Sequence, residues 1–151
     1  MDVEGPVGGI VSDAERILRT LPAWFGVEAS LLEYVRDTAR FPTFVARAAG
    51  ETVAFLTIRE HFAESSEVHC LAVHAEWHRR GFGRALHDHV ERWLSARGVR
   101  FLQVKTIAAS HASPAYAQTR AFYTGIGYTP LEVFPTLWRP EHPALQLVKG
   151  L

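Results

Sequence analysis

Two arginines and two glycines stand together at the predicted start of a helix, in the stretch HRRGFGRALHDHVERWL at residues 78–94. The first turn of a helix has unpaired backbone N–H groups and carries about half a positive charge. Gly81 and Gly83 let a ligand approach the backbone because no Cβ intervenes, and Arg79 and Arg80 add cations beside them. This combination predicts a binding site for a phosphate or pyrophosphate group.

Two common nucleotide-binding patterns do not fit this stretch. The Walker pattern GxxxxGK[ST] is absent, and the dinucleotide pattern GxGxxG would need a glycine where Leu86 stands. A glycine-containing turn with solvated arginines is the alternative to an anion site. The turn alone does not decide between the two.

The composition describes a globular protein with no net charge. Its 151 residues suit one domain, residues 1–151, and 16 Lys and Arg balance 16 Asp and Glu. This balance argues against a nucleic-acid or membrane surface as partner. The single cysteine, Cys70, rules out an internal disulfide. There is no secretory signal pattern at residues 1–10 and no apolar run of about 18 residues, so we expect a cytoplasmic protein.

Hydrophobic periodicity and turn signals predict an α/β (α+β) fold with a mixed central sheet and helices on both faces. A capping box of Ser12 and Glu15 predicts the start of the first helix. The strand–helix–strand run at 67–107 predicts parallel neighbours, and the hairpin at 43–59 predicts antiparallel ones. The predicted helices end near Leu21, Ala39, Gly98 and Gly125, and the predicted strands are 43–48, 52–59, 67–74, 101–107, 128–134 and 144–149.

Two blocks of sequence resemble the GNAT N-acetyltransferase family. EVHCLAVHAEWHRRGFGRAL at 67–86 is similar to its acyl-CoA-binding pattern, a strand followed by [QR]-x-x-G-x-[GA], with His78 at the first position of the pattern. TRAFYTGIGYTPLEVF at 119–134 is similar to its signature A-x-x-[FL]-Y-x-x-x-G-F, with Tyr116 where many members have Asn. The resemblance covers roughly residues 10–150 and implies the GNAT fold. The second signature is filled by Phe122, Tyr123, Gly127 and Tyr128.

The resemblance implies acetyl-CoA as cosubstrate. It places the coenzyme pyrophosphate on the N–H groups of residues 79–84 and the pantetheine arm along the strand at 70–73, where two parallel strands separate. The N–H of Leu71 would then meet the thioester carbonyl as a small oxyanion hole. The implied coenzyme contacts are Leu71, Ala72, Val73, Arg79, Arg80, Gly81, Phe82, Gly83 and Arg84.

Attack of an amine on a thioester requires a base, because an amine with a pKa of about 10.4 is mostly protonated at pH 7. The resemblance to the histone acetyltransferase branch makes Glu67 the first candidate, with a solvated glutamate as the alternative. His69, on the same strand, is the second candidate, and a packed strand histidine is its alternative. The resemblance also implies that Tyr123 protonates the leaving thiolate, since a phenol stays protonated at pH 7; a buried core aromatic is the alternative.

The resemblance implies that aromatic segments flank the acceptor pocket. They are Trp24 and Phe25 after the first helix and residues 134–138 in a loop near the end; core packing is the alternative. Glu132 could pair with a cationic acceptor, or it could be an ordinary surface carboxylate. No histidine pair has a convincing metal-ligand arrangement, so no metal is expected.

These observations favour an acetyl-CoA-dependent N-acetyltransferase that moves the acetyl group directly to a primary amine of a small molecule or peptide. A catalytically inactive acyl-CoA-binding sensor on the same fold is the main alternative, and a histidine-based metalloprotein is a more distant one. A homodimer is compatible with the resemblance, since dimers are common in the family.

Overall fold

A computed structural model describes residues 1–151. None of its helices is long and apolar enough to cross a membrane. One turn of 3-10 helix, Ala75–Trp77, follows the strand that ends at Val73 and precedes the helix that begins at Phe82. In chain order the elements are β1 (Asp2–Glu4), α1 (Val11–Arg19), α2 (Glu28–Arg40), β2 (Thr43–Ala48), β3 (Glu51–Phe62), β4 (Ser65–Val73), α3 (Phe82–Ala96), β5 (Phe101–Ile107), α4 (Pro114–Gly125), β6 (Thr129–Arg139) and β7 (His142–Gly150).

The seven strands form one mixed sheet in the order β1-β2-β3-β4-β5-β7-β6. Only β4 and β5 are parallel, and every other neighbouring pair is antiparallel. Apolar residues of α1 and α2 pack on one face against Val45 and Phe55, and residues of α3 and α4 pack on the other against Leu56 and Leu102. The predicted mixed sheet with helices on both faces is therefore confirmed.

A bulge in β4 changes the course of this strand halfway along. Thr57 of β3 lies opposite Cys70, but the next residue, Ile58, lies opposite Val68, so His69 is an extra residue on β4. A bulge of this kind bends its strand and increases the local twist.

Beyond the bulge, β4 and β5 separate. Their parallel pairing runs from Ser65 opposite Phe101 to Val68 opposite Val104 and then stops. β5 continues to Ile107 paired only with β7, whereas β4 continues to Val73 paired only with β3. The centre of the sheet therefore contains a wedge-shaped gap, which we call the β4–β5 gap.

The ends of the helices test the turn signals in the sequence. Gly98 was correctly placed after α3: it has a φ of 86°, and the following Val99 N–H donates to Leu94 O. The capping box at Ser12 was wrong. The N-cap of α1 is Ile10, which uses no side-chain cap and is 3% exposed, so packing of an apolar residue fixes this helix start.

Three strands differ from the prediction. β1 was missed, because its three residues form a strand only by pairing with β2, about 43 positions away. β3 and β6 extend further than expected, and the predicted loop at residues 134–138 is part of β6. Long-range pairing accounts for all three differences.

The buried His87 on α3 should make the stability of the fold depend on pH. Its Nε2 lies 2.7 Å from the Tyr128 hydroxyl, and its burial lowers its pKa to about 4. Between pH 4 and 6.5 the unfolded chain binds the extra proton, so the free energy of unfolding should fall as the pH drops, by up to about 3 kcal/mol. Urea unfolding of wild type and His87→Gln between pH 7.5 and 4.5 measures this, and parallel curves for the two proteins would contradict it.

Candidate functional site

A groove of about 1320 Å³ runs along the β4–β5 gap. β4 contributes residues 68–73 to its wall, and the end of β5 contributes 104–107. The loop before α3, the α1–α2 loop and one side of α4 complete it. The groove therefore joins the two blocks of sequence that carry the resemblance.

The loop at residues 79–84, which the sequence predicts to bind a phosphate group, forms part of the wall of this groove. Gly81 is the N-cap of α3 with a φ of 82°, and no side chain caps this helix end. A Cβ on Gly83 would lie 3.4 Å from the Phe122 ring, so glycine permits close packing of α3 and α4 here. Arg79 and Arg84 line the groove, whereas Arg80 lies over the Trp77 ring at 4.8 Å and is not part of the lining.

Free backbone groups line the β4 side of the gap. His74 N–H donates to Val53 O at 2.8 Å, and hydrogen-bonded pairs alternate along an antiparallel ladder. The N–H groups of Leu71 and Val73 consequently point away from β3 and toward the gap. Val73 O accepts a hydrogen bond from His78 Nε2 at 2.7 Å, as expected for this orientation. An extended ligand with amide groups could pair with this edge as an added strand.

Tyr123 presents its hydroxyl to the groove. The residue is 5% exposed and packs in the core, yet its hydroxyl has no hydrogen-bond partner in the protein and is not enclosed. Burial raises the pKa of Tyr123, so the phenol stays protonated at neutral pH. The residue is thus able to donate a proton to an atom in the groove.

A histidine–aspartate pair lies next to the bulge. His69 lines the groove, and its Nε2 is 2.7 Å from Oδ2 of Asp37 on α2. Asp37 is 3% exposed, and its other oxygen lies 3.3 Å from Arg40. The carboxylate fixes the orientation of the imidazole. The Nδ1 atom of His69 has no protein partner and remains accessible.

Neither predicted glutamate lines the groove. Glu67 lies 3.0 Å from Lys105 Nζ and 2.7 Å from His61 Nε2, so both oxygens of its carboxylate already have partners. Glu132 is exposed on β6, where it lies opposite Gln146. The structure does not bring either residue together with Tyr123 and His69.

A bridge across the groove connects the α1–α2 loop with α4. Trp24 Nε1 donates to Thr119 Oγ1 at 2.9 Å, and the Tyr116 hydroxyl donates to Trp24 O at 3.1 Å. Phe25 stacks edge-on against Tyr34 with ring centroids 5.6 Å apart. Trp24 and Phe25 thus lie at the groove, and so does Trp138 at the exposed end of β6.

Sequence reasoning missed three groups of this site. Asp37, Tyr34 and the Thr119 partner of Trp24 lie far from their contacts along the chain, so no local pattern marked them. The sequence showed that Tyr116 stands where many members of the family have Asn. It did not show that Tyr116 contacts the α1–α2 loop.

Cys70 should be unreactive in the folded protein. The residue is 6% exposed, and burial raises the pKa of its thiol, so little nucleophilic thiolate forms at neutral pH. We expect Ellman's reagent to label it at least 100 times more slowly in buffer than in 6 M guanidinium chloride. Fast labelling of the native protein would show that the thiol is accessible and would reopen its role as an acyl acceptor.

Comparisons with known proteins agree with this geometry. The chain matches the model of the acetyltransferase (GNAT) family over residues 14–128. No curated protein matches it. A solved structure of a GNAT-family protein from Desulfovibrio desulfuricans shares 16% identity with a TM-score of 0.83, covering 99% of this chain and 98% of that one.

Two further solved structures have the same fold. An aminoglycoside 6'-N-acetyltransferase complexed with coenzyme A shares 18% identity with a TM-score of 0.77, covering 99% of this chain and 97% of that one. The ribosomal-protein-S18-alanine N-acetyltransferase of Escherichia coli shares 19% identity with a TM-score of 0.78, covering 99% of this chain and 92% of that one. With the family model matching most of its length, the chain belongs to the acetyltransferase (GNAT) family.

Proposed function

We propose that the protein transfers the acetyl group of acetyl-CoA directly to a primary amine of a small molecule or peptide. One observation carries the proposal: the uncapped start of α3, the free edge of β4 and the Tyr123 hydroxyl all face one groove. Family membership supports it, as do neighbours of the same fold that were solved with coenzyme A or acetyl-CoA bound.

The residues of the groove fit the parts of such a cosubstrate. The first N–H groups of α3, with Arg79 and Arg84, would hold the diphosphate. The free N–H and C=O groups of Leu71 and Val73 would pair with amides of the pantetheine arm, which requires His78 to release Val73 O. The N–H of Leu71 would stabilise negative charge that develops on the thioester oxygen.

Two side chains would move the protons. His69 is better placed than Glu67 to take a proton from the attacking amine, because it lines the groove and Glu67 does not. Tyr123 would protonate the leaving thiolate, whose parent thiol has a pKa of about 8.5 by analogy with cysteine. Direct transfer is favoured over an acyl-enzyme because the thiol of Cys70 is buried and protonated.

Calorimetry with coenzyme A, followed by a screen of amines for release of free thiol from acetyl-CoA, tests the proposal. We expect binding in the micromolar range and amine-dependent turnover.

Arg84→Glu, at the start of α3, should weaken coenzyme binding at least tenfold. Arg92→Glu, an exposed position on the same helix outside the groove, is the control and should bind normally. Binding without turnover on any amine would favour the acyl-CoA sensor instead, and no binding would exclude both.

A further inference from the structure

The groove contains no acidic residue. None of the residues that line it is Asp or Glu, although the chain has 16 of them. Four basic side chains and four histidines are part of the lining. They are Arg79, Arg84, Lys105 and Arg139, together with His69, His78, His111 and His142.

Two carboxylates beside the catalytic part of the groove are already paired. Glu67 is held by Lys105 and His61, and Asp37 is held by His69 and Arg40. An acceptor with several positive charges would find no carboxylate in the lining and would face basic side chains instead. Unfavourable charge of this kind excludes ligands as effectively as good contacts select them.

One basic cluster remains once the diphosphate has its partners. Arg139 and His142 are opposite each other where β6 and β7 meet, and the His142 ring lies 5.0 Å from that of His111. All three residues line the groove, and Arg139 forms no ion pair. The adjoining Glu141 is exposed and is not part of the lining. A guanidinium without a partner is well suited to a carboxylate.

Aromatic and apolar side chains form a large part of the remaining walls. Trp24, Phe25 and Tyr34 line the groove from the α1 and α2 side, and Leu137 and Trp138 line it from β6. These side chains offer rings and methyl groups to the body of an acceptor rather than hydrogen bonds to a sugar or a polyamine.

We infer that the acceptor is an amine that also carries a carboxylate beside an apolar or aromatic group, as a free amino acid does. The inference rests on the proposed function and narrows its acceptor. Arg139, with His111 and His142, binds the carboxylate, and the aromatic walls hold the apolar part. Polycationic amines, including aminoglycosides such as those acetylated by one of the structural neighbours, are excluded by charge.

Matched acceptors test this directly. Acetyl transfer is measured with L-phenylalanine and L-tryptophan, with their decarboxylated forms phenethylamine and tryptamine, and with spermidine and kanamycin. We expect kcat/KM to be at least tenfold higher for each amino acid than for its decarboxylated form, with no transfer to the polycations. Arg139→Glu should lower kcat/KM at least tenfold for phenylalanine and less than twofold for phenethylamine, whereas Arg92→Glu should change neither.

Other results would overturn the inference. Equal rates with and without the carboxylate, a preference for the polycations, or no transfer to any of these amines would each do so. Calorimetry with coenzyme A separates this failure from that of the proposed function. If the coenzyme binds and the wider amine screen finds another amine that is acetylated, only the acceptor assignment fails. If the coenzyme binds and no amine is acetylated, the protein is a sensor and the transferase function fails. If the coenzyme does not bind, both fail.

Discussion

Replacing Tyr123 by phenylalanine is expected to lower kcat for acetyl transfer about 100-fold, while affinity for coenzyme A stays within threefold of wild type. The substitution removes only a hydroxyl that opens into the groove without a protein partner. The leaving thiolate then loses its proton donor, but the ring still fills its place in the core. Release of free thiol measures kcat, and calorimetry measures binding.

Tyr128→Phe is a matched control for this experiment. Tyr128 packs against Tyr123 with ring centroids 5.3 Å apart, but its hydroxyl bonds to His87 rather than facing the groove. Its loss should destabilise the protein by about 1–3 kcal/mol and leave kcat within twofold. If Tyr123→Phe left kcat unchanged, or if the two variants lost activity equally, Tyr123 would have no role as an acid.

Replacing His69 by alanine is expected to lower kcat about 100-fold and to make the remaining activity respond to added imidazole. The base is lost, but the cavity beside Asp37 and Tyr34 can admit a small imidazole at the same place. Rescue by imidazole, and none by an unreactive molecule of similar size such as cyclopentanol, is the measurement that separates a chemical role from a structural one.

Two further variants locate the base. Glu67→Gln should reduce kcat less than fivefold, because Glu67 lies outside the groove and is paired with Lys105. Asp37→Asn should reduce kcat about tenfold with little change in KM, since Asp37 positions His69 without touching substrate. A larger loss in Glu67→Gln than in His69→Ala, without imidazole rescue, would assign the base to Glu67.

The helices and most strands of the fold could be predicted because their signals are local. Gly98 ends α3 in the left-handed conformation that glycine adopts without strain, and Ser113 caps α4 through the Tyr116 N–H. The start of α1 could not be predicted, because burial of Ile10 outweighs the side-chain cap that Ser12 offered. The extent of β1 and β6 depends on pairing with distant strands, which no local pattern encodes.

The candidate site likewise contains residues that could be predicted from the sequence and residues that could not. Gly81 and Tyr123 were found because they belong to contiguous blocks of sequence, and the structure places both at one groove. The partnership of His69 with Asp37 spans 32 positions and two elements, so the sequence offered His69 only as the second candidate base and did not mark Asp37. The charge of the groove was invisible for the same reason: the chain is neutral overall, and only folding separates the acidic residues from this surface.

At the β4–β5 gap, backbone groups in the middle of the sheet lack a neighbouring strand, as is otherwise true only of its two edges. A ligand that fills the gap therefore pairs with these free backbone groups. Its binding free energy is added to the free energy of unfolding of the native state. At a concentration 100 times its dissociation constant this amounts to about 2.7 kcal/mol. The melting temperature of the protein thus reports occupancy of the gap, whether or not an acceptor is known.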